Sequence, residues 1–123
     1  LSVEPLKFPW RSLPIRKETK VEPKFLDQID EIIVDLCRLL STARRGDHGE
    51  VKTLSKYLAK LLIRRAELRN LCGYDVNEKA MDLVDKTIAK IFEHVSEIYS
   101  TDDFAIAKNL MEILIARAKI GRG

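Results

Sequence analysis

All four prolines, Pro5, Pro9, Pro14 and Pro23, fall within the first 23 residues. Proline lacks an amide proton and restricts the residue before it, so that stretch forms no long helix. Inside it Leu6, Phe8 and Trp10 alternate with Lys7 and Pro9. A period of two sets the three apolar side chains on one face of an extended segment. Such an arm either packs over the core of its own domain or docks on another subunit. Residues 1–22 are read as this arm, and 23–123 as a helical bundle domain.

Pro23 suits the first turn of a helix. The helix expected there buries Phe25, Ile29, Ile32, Ile33, Leu36, Leu39, Leu40 and Ala43, which recur mostly at steps of three and four. Asp27, Asp30, Glu31 and Asp35 load its early part, and Arg38, Arg44 and Arg45 its end, as the helix dipole favours. The run RRGDHG then breaks the chain. A second helix is expected from about Glu50 to Leu71, with Leu54, Leu58, Leu61, Leu62 and Leu68 inward and Gly73 as its stop. A third starts near Asn77, a good N-cap, and runs to about Tyr99. Its apolar face reads Met81, Val84, Ile88, Ile91, Phe92, Val95 and Ile98. STDD at 100–103 marks a break and a new cap, and a fourth helix over about 103–119 carries Phe104, Ala107, Leu110, Met111 and Leu114. The fold class expected is all-α, an antiparallel bundle of about four helices joined by short loops.

The length of 123 residues fits one domain and hides roughly two-thirds of the unfolded surface without metals or disulfides. With 46% apolar and 33% charged residues, the composition is that of neither a disordered tail nor a membrane protein. No apolar run approaches the roughly 18 residues a membrane span needs, and nothing at the N-terminus reads as a signal peptide. Cys37 and Cys72 form no Cys-x-x-Cys pair, which fits buried thiols in a reducing, cytoplasmic setting, or a nuclear one in a eukaryote.

Chemistry is sparse. His48 lies in the glycine-containing loop beside Asp47, and His94 beside Glu93. Two separated His–acid neighbours do not make a zinc site, which needs three or four converging ligands. His48 is expected as a solvated loop residue, and His94 at a surface or boundary position. No nucleophile elbow, phosphate-cradling loop or dinucleotide fingerprint occurs. Some small helical ribonucleases place an arginine four to six residues before a histidine, but Arg44 and Arg45 are too close to His48 and none precedes His94 at that distance. No cofactor, metal or catalytic activity is expected.

Lys52, Lys56, Lys60 and Arg64 recur every four residues, with Arg65 and Arg69 beyond them. Each step of four turns the helix by about 400°, so the cations drift by about 40° per step into a slanting band. Such a band is either a grip for nucleic-acid phosphates or a solvated face that meets an acidic partner. Only Tyr57 interleaves as a stacking platform, and the net charge of +3 is mild. Phe92, Ile98, Tyr99, Phe104 and Met111 exceed what one bundle needs to bury, so part of that cluster is expected to meet another chain, as Leu6, Phe8 and Trp10 would in a docking arm.

The order of features, VEPKFLDQIDEIIVDLCRLL, a charged loop, EVKTLSKYLAKLLIRRAELRNL, a glycine turn and a further helix, resembles the helical domain of GINS subunits over about residues 20–100. Pro23 and Phe25 match the proline-flanked aromatic that opens the first helix of that family. Arg64, Arg65, Leu68 and Arg69 match its basic and aliphatic close of the second. The order Leu68-Arg69 departs from the family, which places the basic residue first, and the small β domain of the family has no counterpart read here. The resemblance implies an architectural, non-catalytic subunit of a DNA-replication assembly, one of a tetramer joining the replicative ring helicase to a RecJ-like partner. The alternative reading is a small basic helical nucleic-acid-binding protein.

Overall fold

A computed structural model describes residues 22–44, 47–95 and 100–121. They form four helices, α1 Pro23–Ser41, α2 His48–Cys72, α3 Glu78–His94 and α4 Thr101–Ile120, with no strand among them. The Leu6, Phe8 and Trp10 arm, Arg45, Ile98 and Tyr99 lie outside the described residues.

The helix ends follow local chemistry. Proline opens α1, where a missing amide proton costs nothing. The Asn77 side chain accepts from Lys79 N at 2.8 Å and so starts α3. Ser100 and Asp103 form a reciprocal capping box at the head of α4. Gly73, at φ 80°, stops α2 in the left-handed conformation that a side chain would disfavour.

Consecutive helices reverse direction, but the packing order is not that of a simple meander. α1 rests on α2 and α3, and α4 rests on the same two, which puts α1 and α4 on one diagonal. Lys52 bonds Asp102, and Asn109 bonds Ser55, so α2 and α4 run the same way with their starts level. The Asp30 bond to Asn77 N and the Arg117–Asp85 pair set α1 parallel to α3 and α3 antiparallel to α4. The chain is thus two helical hairpins stacked in the same orientation. The core runs through both and includes Ile33, Cys37, Leu58, Leu62, Val84, Ile91, Ile106 and Ile113.

Several faces differ from those expected. On α1 the inward stripe is Leu26, Asp30, Ile33, Cys37 and Leu40, while Phe25, Ile32 and Leu39 are 47%, 49% and 53% exposed. Both stripes have helical spacing, and Asp30 decides between them, because its carboxylate must reach a buried partner on α2. On α2 the small residues Ser55, Ala59 and Ala66 face inward and let α4 approach closely, leaving Leu54, Leu61 and Leu68 only partly covered. On α4 the inward side is Ile106, Leu110, Ile113, Ala116 and Ile120, and Phe104 and Met111 point outward. Phe92, placed on the inner face of α3 by its spacing, is exposed. His48 is the first residue of α2 rather than a loop residue. Both cysteines are free thiols, Cys37 buried and Cys72 half-buried. No helix among the described residues is long and apolar enough to cross a membrane.

Candidate functional site

Parallel packing of α2 on α4 leaves a shallow groove of about 600 Å³ along the first half of both helices. Lys52, Lys56 and Lys60 line one side, Lys108 of α4 the other, and Tyr57 and Asn109 also border it. Arg64 lines a neighbouring depression with Lys60, Ile63 and Glu67, as the drift of a four-residue repeat requires. The basic band is therefore split: three lysines turn toward α4, and the arginine turns away.

The charges differ in how far they are already neutralised. Lys52 Nζ bonds Asp102 Oδ1 at 2.9 Å. Arg64 pairs with Glu67 one turn on, and Arg69 with Asp75, each at 2.9 Å. Lys56, Lys60 and Lys108 have no carboxylate partner among the described residues and remain available. Asn109 is committed inward, donating to Lys52 O at 3.0 Å and to Ser55 Oγ at 2.9 Å, so it reads no ligand. At the head of α2, the hydrogen bond and charge of Asp47 hold the Glu50 carboxyl above its ordinary value.

Arg65 does not belong to this surface, contrary to the expectation from its place in the band. It is 1% exposed. Its Nε donates to Asp30 Oδ1 at 2.8 Å, and its Nη1 and Nη2 donate to the carbonyls of Tyr74 and Asp75 at 3.1 and 2.9 Å. The second Asp30 oxygen accepts from Asn77 N at 2.9 Å. One guanidinium thus ties α1, α2 and the 73–77 turn together, and it is structural.

A second polar cluster sits where α2, α3 and α4 meet. His48 Nδ1 lies 2.5 Å from Oδ1 of buried Asp103, and the His48 and His94 rings meet edge to face at 6.4 Å. Among the described residues no three His, Cys, Asp or Glu side chains converge as a metal would require.

The remaining surface feature is apolar. Phe104 and Met111 are 64% and 62% exposed on one side of α4, continued by Ile115. The Arg117–Asp85 register places Phe92 of α3 about level with Met111. Of the side chains expected at a subunit interface, Phe92, Phe104 and Met111 are therefore all at the surface. Chemically, the lysine groove offers flexible point charges suited to phosphate or carboxylate, with no base-reading fork, and the apolar faces offer burial to a partner.

Sequence reasoning missed Lys108, because it lies on a helix expected only for its apolar residues. It also missed the Arg65–Asp30 and Asn109–Ser55 pairs, although each places a polar residue in an otherwise apolar stripe, which is the signal of a buried partner. Comparison with protein-family models, with curated proteins and with solved structures found no match to this chain.

Proposed function

We propose that this chain is a non-catalytic interaction subunit of a multiprotein assembly, and that the assembly is of the DNA-replication kind implied by the resemblance to GINS subunits. The observation that carries the reading is the row of large apolar side chains left at the surface on α1 and α4. Phe25, Ile32, Leu39, Phe104 and Met111 are each about half exposed or more. The two rows lie on helices at opposite corners of the bundle, and large apolar side chains left exposed in rows are the usual mark of a contact with protein.

A second reading rests on the lysine groove. Four lysines from two parallel helices make a small basic trough, which supports weak, sequence-independent contact with nucleic acid or with an acidic segment of a partner.

Recovery of the tagged protein from its native cells under mild conditions, with its companions identified by mass spectrometry, tests the choice. Replication-helicase components among them are the expected result. Recovery with RNA or ribosomes alone would overturn the first reading in favour of the second.

A further inference from the structure

The lysine row on α2 already holds one anion. At its head Lys52 Nζ meets Asp102 Oδ1 of α4 at 2.9 Å, so a carboxylate sits on the first cation of the row. Lys56 and Lys60 repeat that cation one and two turns on, about 6 Å apart. Neither has a carboxylate partner among the described residues, and Lys108 faces them unpaired from α4. The α4 side of the groove continues into an apolar surface. Lys108 stands in one row with Phe104, Met111 and Ile115, at steps of four, three and four. Those three apolar side chains are each more than half exposed. Free cations and free apolar side chains thus meet on one surface, joined at Lys108.

We infer that this surface docks an acidic amphipathic helix of a partner protein. Carboxylates four residues apart on that helix continue, over Lys56, Lys60 and Lys108, the pairing that Asp102 begins. Its apolar face covers Phe104, Met111 and Ile115. The inference rests on the interaction-subunit reading and supplies the chemistry of the partner, whatever assembly the two belong to.

Other occupants fit less of the surface. Residues 1–22 carry five basic residues against three acidic, so charge disfavours the arm of this chain. A nucleic-acid backbone leaves the apolar row uncovered. It also outruns the lysines, which extend only about 12 Å from Lys52 to Lys60, with Asp102 at one end and Glu67 past the other. An extended peptide gains its affinity by adding to a sheet edge, and the described residues contain no strand. A helix satisfies its own backbone and needs only a groove and side-chain contacts.

The probe is a fluorescent peptide of about twenty residues, long enough for a helix, with leucines on one face and glutamates four apart along its flank. Anisotropy titration with the full chain at physiological salt should show saturable binding. Glutamine in place of the glutamates should weaken it about fivefold or more, and alanine in place of the leucines about tenfold or more. Lys108→Glu and Phe104→Ser should each bring a comparable loss with helicity unchanged. Lys86→Glu makes the same change of charge at an exposed site on α3 and should leave binding as it was. Absence of binding, or binding indifferent to Lys108 and Phe104, would overturn the inference. So would tighter binding of single-stranded DNA or of phosphatidylserine vesicles at the same salt. A dimer in sedimentation that Lys108→Glu dissolves would assign the groove to a second copy and overturn it as well. Protein companions recovered from native cells alongside any of these failures would leave the interaction-subunit reading standing, so the two fail separately.

Discussion

Arg65 and Asp30 meet at 2.8 Å between α2 and α1, with side chains 1% and 5% exposed. Two charges taken out of water cost several kcal/mol each, so the pair holds only with further hydrogen bonds beside its own. Here the carbonyls of Tyr74 and Asp75 and the amide of Asn77 complete it. The same side chains that steady the bundle therefore fix the path of the 73–77 turn.

Removing one partner strands the other. Arg65→Ala leaves a buried carboxylate uncompensated and is expected to cost about 3–5 kcal/mol in urea unfolding. Arg64→Ala, one residue away on the surface, removes an exposed pair with Glu67 and should cost under about 0.5 kcal/mol. Similar small losses for both would refute the structural role assigned to Arg65.

Two glycines predict opposite signs. Gly73 sits at φ 80° with open space around it, so Gly73→Ala adds backbone strain and no clash, costing about 1–2 kcal/mol. Gly49 lies in the first turn of α2, also in open space, and Gly49→Ala should stabilise by up to about 1 kcal/mol. Thermal midpoints of the two variants check this. A loss at Gly49 would place the start of α2 later than His48.

The thiols should differ in reactivity. Burial pushes the Cys37 thiol above its ordinary value of 9.0, against a smaller opposing effect of its hydrogen bond with Thr87. In native protein at mildly alkaline pH, alkylation should modify Cys72 first and Cys37 only on unfolding, a difference that peptide mass spectrometry resolves. The sign for stability follows. The folded state holds this proton more tightly, so its contribution is complete below the unfolded thiol's pKa near 9.0 and is lost as pH rises through the raised folded value. Unfolding midpoints should fall across that alkaline window, and less so in Cys37→Ala when each is compared with its own neutral-pH value.

The lysine groove should bind polyanions only weakly. Phosphate contacts give a salt slope of roughly 0.9 per contact on duplex DNA, and of the groove lysines only Lys56, Lys60 and Lys108 lack a carboxylate partner among the described residues. Binding of labelled single- and double-stranded DNA is expected at low salt and should largely vanish near physiological ionic strength. Changing Lys52, Lys56, Lys60 and Lys108 together to glutamine, itself a good helix former, should flatten the slope with the fold intact. Tight binding that survives physiological salt in wild type and is lost in that variant would favour the nucleic-acid reading.

Four helix ends were legible in the sequence because each is set by a local residue: Pro23, Gly73, Asn77, and Ser100 with Asp103; the start of α2 and the end of α3, expected near Glu50 and Tyr99, fall at His48 and His94. Faces were harder. α4 is apolar nearly all the way round, so periodicity could not choose between the stripe of Phe104 and Met111 and that of Ile106 and Ile113. On α1 two stripes of equal quality competed, and Asp30 chose the inner one through Arg65, a partner 35 residues away. The basic band was visible along α2, but its completion by Lys108 depends on α4 lying parallel to α2. No property of either helix alone reveals that.

Because α1 lies on α3 and α2 on α4 in the same sense, the two hairpins relate by a shift, as neighbouring units of a helical solenoid do. Each covers the inner surface of the other, and neither half has a core of its own. Cutting the backbone between Gly73 and Asn77 would yield two segments whose helices lose the tertiary packing that steadies them, yet shaped to recombine when mixed. The connection that Arg65 clamps is accordingly no hinge. The halves can be lost or regained together, but they cannot swing.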